Sequence, residues 1–477
     1  MTALALLIAV GVPATPVAAL TPVDCPPFSR EALETPLALP PAGDDPELVM
    51  ADPTGLQLSR PDGSRGVAAY AALAKSVKYT LTTWLPRCYG DQEGTPYLDP
   101  RGNFERTIRP MAMAAYGLAV ALQTNAYDSA DVGGVSREDA LVAAKRLVLG
   151  VVAFHQANNP GDFSWGHGWQ SSLWSYYAGY AGWLLRDELT PEERRAVSRM
   201  VADEAAYRVA EYRRAGVPYM HSASGQLLRR GDSQAEENAW NSMALSLAAT
   251  MLRGSSKVAE NHAVAARYQM GSYIRKSDLS RKTLFDGARI GSAIKGYNLE
   301  SNGVMINHNR VHPEYMSLIT LKTSEALNTA LINQSAGQSA LYNVVFEYRA
   351  MTSTKLSNGI PAYRPNSWRI NYPSGNDWGT GRITNYALLD LLAVQFTRGK
   401  VRRQADAYYD RHMGRQIALM GRFSDGRTYA GSWADTNSEY RYVGREQITA
   451  ADLAQIWLTV YFGRHDRFHQ GATDYLK

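Results

Sequence analysis

Thr190-Pro-Glu-Glu-Arg-Arg-Ala-Val-Ser-Arg-Met-Val-Ala-Asp-Glu-Ala-Ala-Tyr-Arg-Val-Ala-Glu-Tyr-Arg213 decides the fold class, because its start and its period both belong to an α-helix. Thr190 is a capping residue, Pro191 suits the first helical position, and Glu192 and Glu193 are acids in the first turn, where the helix dipole favours them. The segment is amphipathic at helical spacing. Working outward, the same pattern predicts helices over 65–86, 104–125, 136–157, 168–187, 191–213, 234–253, 256–276, 314–331, 338–352, 383–398, 402–421 and 448–462. Ser136-Arg-Glu-Asp repeats the start signal without the proline. Strand-like alternation is scarce, and neither heptads nor a short repeat is visible. Successive helices with loops of varied length predict an all-α chain of helical hairpins, an (α/α) toroid, complete or incomplete.

The chain has 477 residues, 50 basic and 45 acidic, and is 45% apolar, which is ordinary globular composition. So mild a basic excess gives no case for nucleic acid, yet suits a groove for an anionic polymer. Residues 1–19 read as a signal peptide, apolar and ending in Val17-Ala18-Ala19, although a basic n-region is missing. Export is therefore expected. Residues 20–62, rich in Pro, Asp and Gly, form an N-terminal arm, and 63–477 the helical domain. No later stretch is long and apolar enough to span a bilayer. Cys25 and Cys88 are the only cysteines, so an exported chain would join them in one disulfide, and a cysteine-built zinc site is excluded by count. No metal or other cofactor is called for, and a monomer is expected.

Four segments carry candidate chemistry. Trp165-Gly-His-Gly-Trp169 precedes a helix; Trp169, Leu173, Tyr176, Tyr180 and Trp183 fall on one face that reads as core, while Trp165 and His167, with Trp169, offer a stacking platform for sugar. Gly231-Asp-Ser-Gln-Ala-Glu-Glu-Asn-Ala-Trp-Asn241 starts another helix, with Asp232 or Ser233 as its cap. Asn238 and Asn241 project from one side of it, and Trp240 lies on its apolar face beside them. Pro373-Ser-Gly-Asn-Asp-Trp-Gly-Thr-Gly-Arg382 supplies glycines for close backbone approach, Trp378 for stacking and Arg382 for anions. Ser301-Asn-Gly-Val-Met-Ile-Asn-His-Asn-Arg-Val-His-Pro-Glu-Tyr315 gathers His308, Arg310, His312 and Tyr315 in one loop and one helical turn, a set suited to proton transfer.

Around Asn241 (with Asn238), Asn302-Gly303 to Asn307-His308, and Tyr315, the chain resembles the toroid-fold polysaccharide lyases, the broad group of chondroitin AC, hyaluronate, xanthan and alginate lyases. The resemblance covers about 100 residues locally. It implies β-elimination at a uronic acid: Asn241 binds the substrate carboxylate, His308 acts as base or orients it, and Tyr315 protonates the leaving oxygen, serving as both base and acid where elimination is syn. Arg310 and His312 would supply positive charge, and Asn238, Trp240, Trp165, His167, Trp169, Trp378 and Arg382 would line the cleft for an anionic polysaccharide. Two departures stand. No strand-rich region follows residue 400 as in the larger family members, and the arginine expected after the tyrosine has several candidates, Arg349, Arg364, Arg369 and Arg382.

Two other classes compete. A glycoside hydrolase on a similar helical barrel would use paired carboxyls drawn from Asp232, Glu236, Glu237, Glu300 and Asp377. A non-catalytic carbohydrate-binding protein would use the tryptophans and have no need of His308 or Tyr315.

Overall fold

A computed structural model describes residues 33–34, 36–87, 104–161, 164–376, 382–429 and 444–469. The signal segment, Cys25, Cys88, Asp377 and Trp378 lie outside the described residues. The described residues are all-α, with strands of two residues only. Its principal helices are α1 (Ser64–Tyr79), α2 (Phe104–Gln123), α3 (Arg137–Ala153), α4 (Ser171–Leu184), α5 (Pro191–Ala215), α6 (Ala235–Met251), α7 (Val258–Ser272), α8 (Pro313–Ser317), α9 (Ser324–Leu331), α10 (Val344–Ser353), α11 (Ile383–Phe396), α12 (Gly399–Met420) and α13 (Arg445–Arg464). No described helix is long and apolar enough to cross a membrane.

Start signals work as their chemistry requires. Thr190 and Glu193 form a reciprocal capping box, the Glu193 amide donating to the Thr190 hydroxyl (3.2 Å) and the Thr190 amide to the Glu193 carboxylate (2.8 Å). Ser136 caps α3 by accepting from the Asp139 amide at 3.0 Å. The start of α6 departs from expectation. Gln234, at φ +33°, is its N-cap and makes no side-chain cap, so neither Asp232 nor Ser233 holds that position.

Six helical segments are buried almost all round: α2, α4, α6, the 3₁₀ turn Leu318–Thr323 running into α9, α11 and α13. A helix apolar on every side belongs between other helices. Their contacts run α2 to α4, α4 to α6, α6 to the 318–331 segment, that segment to α11, α11 to α13, and α13 back to α2. Outside them, α3 packs on α2, α5 on α4, α7 on α6, α10 on α11, α12 on α11, and α1 on α13. The half-polar α5 and α12 turn their charged faces to solvent, as outer helices should.

The arm from residue 36 onward is strapped across the C-terminal ends of the buried helices. Ala51 donates its amide to the last carbonyl of α6 at Met251 (2.7 Å), Thr54 and Gly55 donate to Leu331 at the end of α9 (both 2.9 Å), and Leu58 donates to Tyr461 near the end of α13 (2.6 Å). The Met251 and Leu331 carbonyls are among the orphan acceptors that a helix end must satisfy. Trp183 of α4 closes the set, its indole donating to the Ala51 carbonyl at 2.7 Å. The arm thus covers one end of the bundle, and the candidate residues gather at the other, where the buried helices begin.

Candidate active site

The segment from 306 to 317 is a two-residue hairpin feeding a short helix. β1 (Ile306–Asn307) pairs antiparallel with β2 (Arg310–Val311), in register Ile306 with Val311 and Asn307 with Arg310. Its two connecting residues, His308 at φ +49° and Asn309 at φ +59°, both lie in the left-handed region, the backbone of a type I′ turn. Asparagine accepts that conformation readily; histidine does so at a cost. The turn is pinned by the Asn309 amide, which donates to the Gly231 carbonyl at 3.0 Å. Gly231, at φ +66°, is needed for this approach, since a Cβ there would meet the Asn309 side-chain oxygen at 2.1 Å. Pro313 then opens α8, as its fixed φ suits, and puts Tyr315 on the first turn.

This geometry brings the proton carriers into contact. Tyr315 Oη is 3.3 Å from His308 Nε2, and the ring of the buried His312 stands edge-on to Tyr315 with centroids 4.5 Å apart. The His308 and His312 rings stand edge-to-face with centroids 6.0 Å apart. The Tyr315 carbonyl accepts from the buried Tyr273 hydroxyl at 2.6 Å, which holds the residue from behind. The Tyr315 phenol also lies near Glu236 on the first turn of α6, where it favours the ionised form of that carboxyl. Glu236 is thereby part of the same cluster.

The carboxyls here are strongly perturbed. Burial, reinforced by the neighbouring Glu237 charge, pushes Glu236 well above the usual carboxylate range, with Arg382 pulling against it and Glu314 adding to it. Burial, with Asp232 nearby, raises Glu237 to about 7. Glu314, fully buried, forms an ion pair with Arg382 (Oε1 to Nε 3.0 Å) and accepts a hydrogen bond from the Asn376 side-chain amide at 3.0 Å. Tyr372, close to Glu314 and Arg382, shares a 2.8 Å hydrogen bond with Tyr386 of α11. Two helix starts and two loops therefore converge on the Tyr315 region.

Asn241 is buried one and a half turns into α6 and has no hydrogen-bond partner within the protein, its carbonyl oxygen being wholly enclosed. An amide left in that state is costly unless something else occupies it. Asn238 is different. Its amide donates to the Pro218 carbonyl at 2.8 Å and the Gly271 carbonyl at 3.4 Å, so it ties α6 to its neighbours and has a structural use. Trp240 is interior, meeting Trp169 edge-to-face at 5.5 Å, and Trp169 alone of that pair is open, 57% exposed. The expectation that Trp169 belongs with the core stripe fails at this one position; Leu173, Tyr176, Tyr180 and Trp183 are core.

Trp165 is a correction. It is 1% exposed, with its indole donating to the Val151 carbonyl at 2.8 Å and its ring against His155, so no face remains for a sugar. His167 is held elsewhere, with Nε2 2.9 Å from Asp203 and its ring stacked on Tyr207 at 4.1 Å. Glu204 explains this: one carboxylate oxygen accepts from the His167 amide (2.6 Å) and sits 3.3 Å from His155, the other accepts from Ser171 (2.8 Å), binding the loop to α5. These partners hold Glu204 below the usual carboxylate range despite its burial, the His155 hydrogen bond and charge pulling most. Arg310 lies next to Gly375, and Arg382 is committed to Glu314.

Glu236 beside Tyr315, Tyr273 behind it, and the contact of Asn376 with Glu314 are not legible in the sequence. The Glu236-Glu237 pair in a first helical turn is what any helix dipole would select, and nothing in the sequence says that the turn is buried. Comparison of the chain with protein-family models, with curated proteins and with solved structures returns no match.

Proposed function

We propose that the buried helices and their outer partners form an (α/α) toroid, and that the protein is an exported polysaccharide lyase that cleaves a uronic-acid polymer by β-elimination at the open end. The closed series of neighbour contacts supports the architecture. The observation that carries the chemistry is Tyr315 Oη at 3.3 Å from His308 Nε2, with His312 packed against the phenol. A phenol flanked by two imidazoles is suited to exchange a proton near neutral pH, and a carboxyl held protonated beside it prevents a fixed negative charge from opposing the tyrosinate.

In this reading the uronate carboxylate is received by the unpartnered Asn241 amide and by Arg310, which lowers the pKa of the adjacent C5–H. His308 or Tyr315 removes that proton. The C5 electrons form the C4–C5 double bond as the C4–O bond breaks, and Tyr315 delivers a proton to the departing oxygen. Trp169, open at the start of α4, offers a face for a neighbouring sugar ring. Arg382 acts at one remove, pairing with Glu314, which in turn holds Asn376.

The test is a panel of uronic-acid polymers, read both by absorbance near 235 nm for the unsaturated product and by reducing ends. Both signals are expected, and Tyr315→Phe and His308→Ala should abolish both. The raised carboxyls Glu236 and Glu237 favour a second reading, a hydrolase with one of them as general acid. It predicts reducing ends without the absorbance, and loss on Glu236→Gln with Tyr315→Phe still active.

A further inference from the structure

Away from the His308–Tyr315 cluster, residues 363–370 form a tight turn, closed by an antiparallel bridge between Tyr363 and Ile370 and by the Arg364 amide donating to the Arg369 carbonyl at 3.3 Å. Trp368, at the edge of this turn, is 37% exposed. Two guanidinium groups face its ring: that of Arg415 lies 4.4 Å from the ring centroid and that of Arg369 5.7 Å. Arg411, one helical turn before Arg415 on α12, reaches the same turn and donates to the Asn366 side chain at 3.4 Å. Arg364 sits across the turn from Arg369 and is exposed.

None of these four arginines is ion-paired with a described carboxylate, and Arg415 Nε is enclosed without a hydrogen-bond partner. The two acids of α12 lie toward Arg65: Asp406 is bound to it at 2.7 Å, and the exposed Asp410 acts on the same guanidinium. Two guanidinium groups at one indole, with Arg411 and Arg364 on the same turn, are like charges that repel one another and leave several planar donors unused. That arrangement is what an anionic ligand would relieve. The same loop continues through Tyr372 to Asn376, which touches Glu314 in the candidate active site.

We propose that Trp368 with Arg364, Arg369, Arg411 and Arg415 is a remote subsite that binds a sugar unit of an acidic polysaccharide. The C–H face of a pyranose lies on the indole, and its carboxylate or sulfate groups are held by the guanidinium forks. The inference rests on the polysaccharide reading for its ligand, and not on the elimination chemistry.

Affinity electrophoresis of the full chain tests it, with Tyr315→Phe as the parent so that no polymer is cut, in gels holding polygalacturonate, chondroitin sulfate or neutral dextran. At least one of the two anionic polymers should retard the parent, and dextran should not. Trp368→Ala and the double variant Arg369→Gln/Arg415→Gln should each weaken that retention by about tenfold, the loss of one stacking or cation contact. Arg364→Gln, at an exposed position, serves where the tryptophan variant melts early, and should weaken it several-fold. Retention of the parent by neither anionic polymer, or equal retention of parent and folded variants, overturns the subsite. Polymers that are retained through Trp368 yet never cleaved by the unmodified chain would sink the lyase reading and leave the subsite standing; cleavage with retention indifferent to these variants would do the reverse.

Discussion

His308→Asn separates a residue kept for chemistry from one kept for structure. His308 occupies the first central position of a type I′ turn at φ +49°, where an ordinary L-residue pays roughly 1–2 kcal/mol that asparagine largely avoids. Against this relief stands the contact between the imidazole and Tyr315, at 3.3 Å a long and partly exposed hydrogen bond worth roughly 0.5–1 kcal/mol. The net expectation is a variant of equal stability or up to about 1 kcal/mol more stable, by the difference of those terms. Elimination should meanwhile fall by roughly 10²–10⁴-fold, the usual contribution of a positioned acid or base. Urea unfolding followed by circular dichroism gives the first quantity, and the initial rate at 235 nm on the polymer that the panel identifies gives the second. If His308→Asn loses more than about 1 kcal/mol, the imidazole is a packing element and the strain argument is wrong. Retention of more than a tenth of the rate would show that no proton passes through His308.

Three further outcomes follow from the geometry. Gly231→Ala should uncouple the hairpin from α6, because its Cβ would enter the Asn309 side chain and φ +66° disfavours alanine; a loss of at least roughly 1–3 kcal/mol and of most activity is expected, read by thermal melts and rates. Arg382→Ala strands the fully buried Glu314 and should cost roughly 3–5 kcal/mol, whereas a neutral melt would mean that the ion pair adds nothing to the fold. Stability should fall as pH rises from about 4.5 to 7: Glu237, Glu446 and Asp452 are each raised by burial to about 7 and Asp390 to about 6, so the folded state holds protons that the unfolded chain has released. A melting temperature that climbs over this range would refute it, and Glu446→Gln should flatten the slope.

The helical part of the fold was largely readable, since caps such as Thr190 and Ser136 and the 3.6-residue period depend on local chemistry alone. The expected helix 314–331 is instead α8, a 3₁₀ segment and α9. Ser317 and Thr323 bond back to the carbonyls of Glu314 and Thr320, three residues earlier, and that i−3 pattern tightens the turn. The hairpin at 306–311 escaped notice because its strands are two residues long, too short for alternation, and its turn lacks the usual glycine. Trp165 reads as open because the glycines that follow it, Gly166 and Gly168, suggest a loose loop. Gly166, at φ +138° and with no room for a side chain beside His155, instead lets the backbone dive inward. His308, His312 and Tyr315 were legible as a set because seven residues across a turn can scarcely separate; Glu236 joins them from a distant part of the chain, and no local signal reports that.

The contact between α13 and α2 has a consequence for how the molecule is made. Every other neighbour contact in the buried series can form as the chain leaves the ribosome, but α2 meets its last partner only after residue 464 has been synthesised. The Leu58–Tyr461 hydrogen bond spans a sequence separation of 403 residues, so the arm cannot close its end of the bundle earlier. Until then α2 and α4, apolar on all sides, have an open flank, and the intermediate is sticky in proportion. A nascent chain stalled before α13 should therefore need a chaperone or an unfolded, export-competent state.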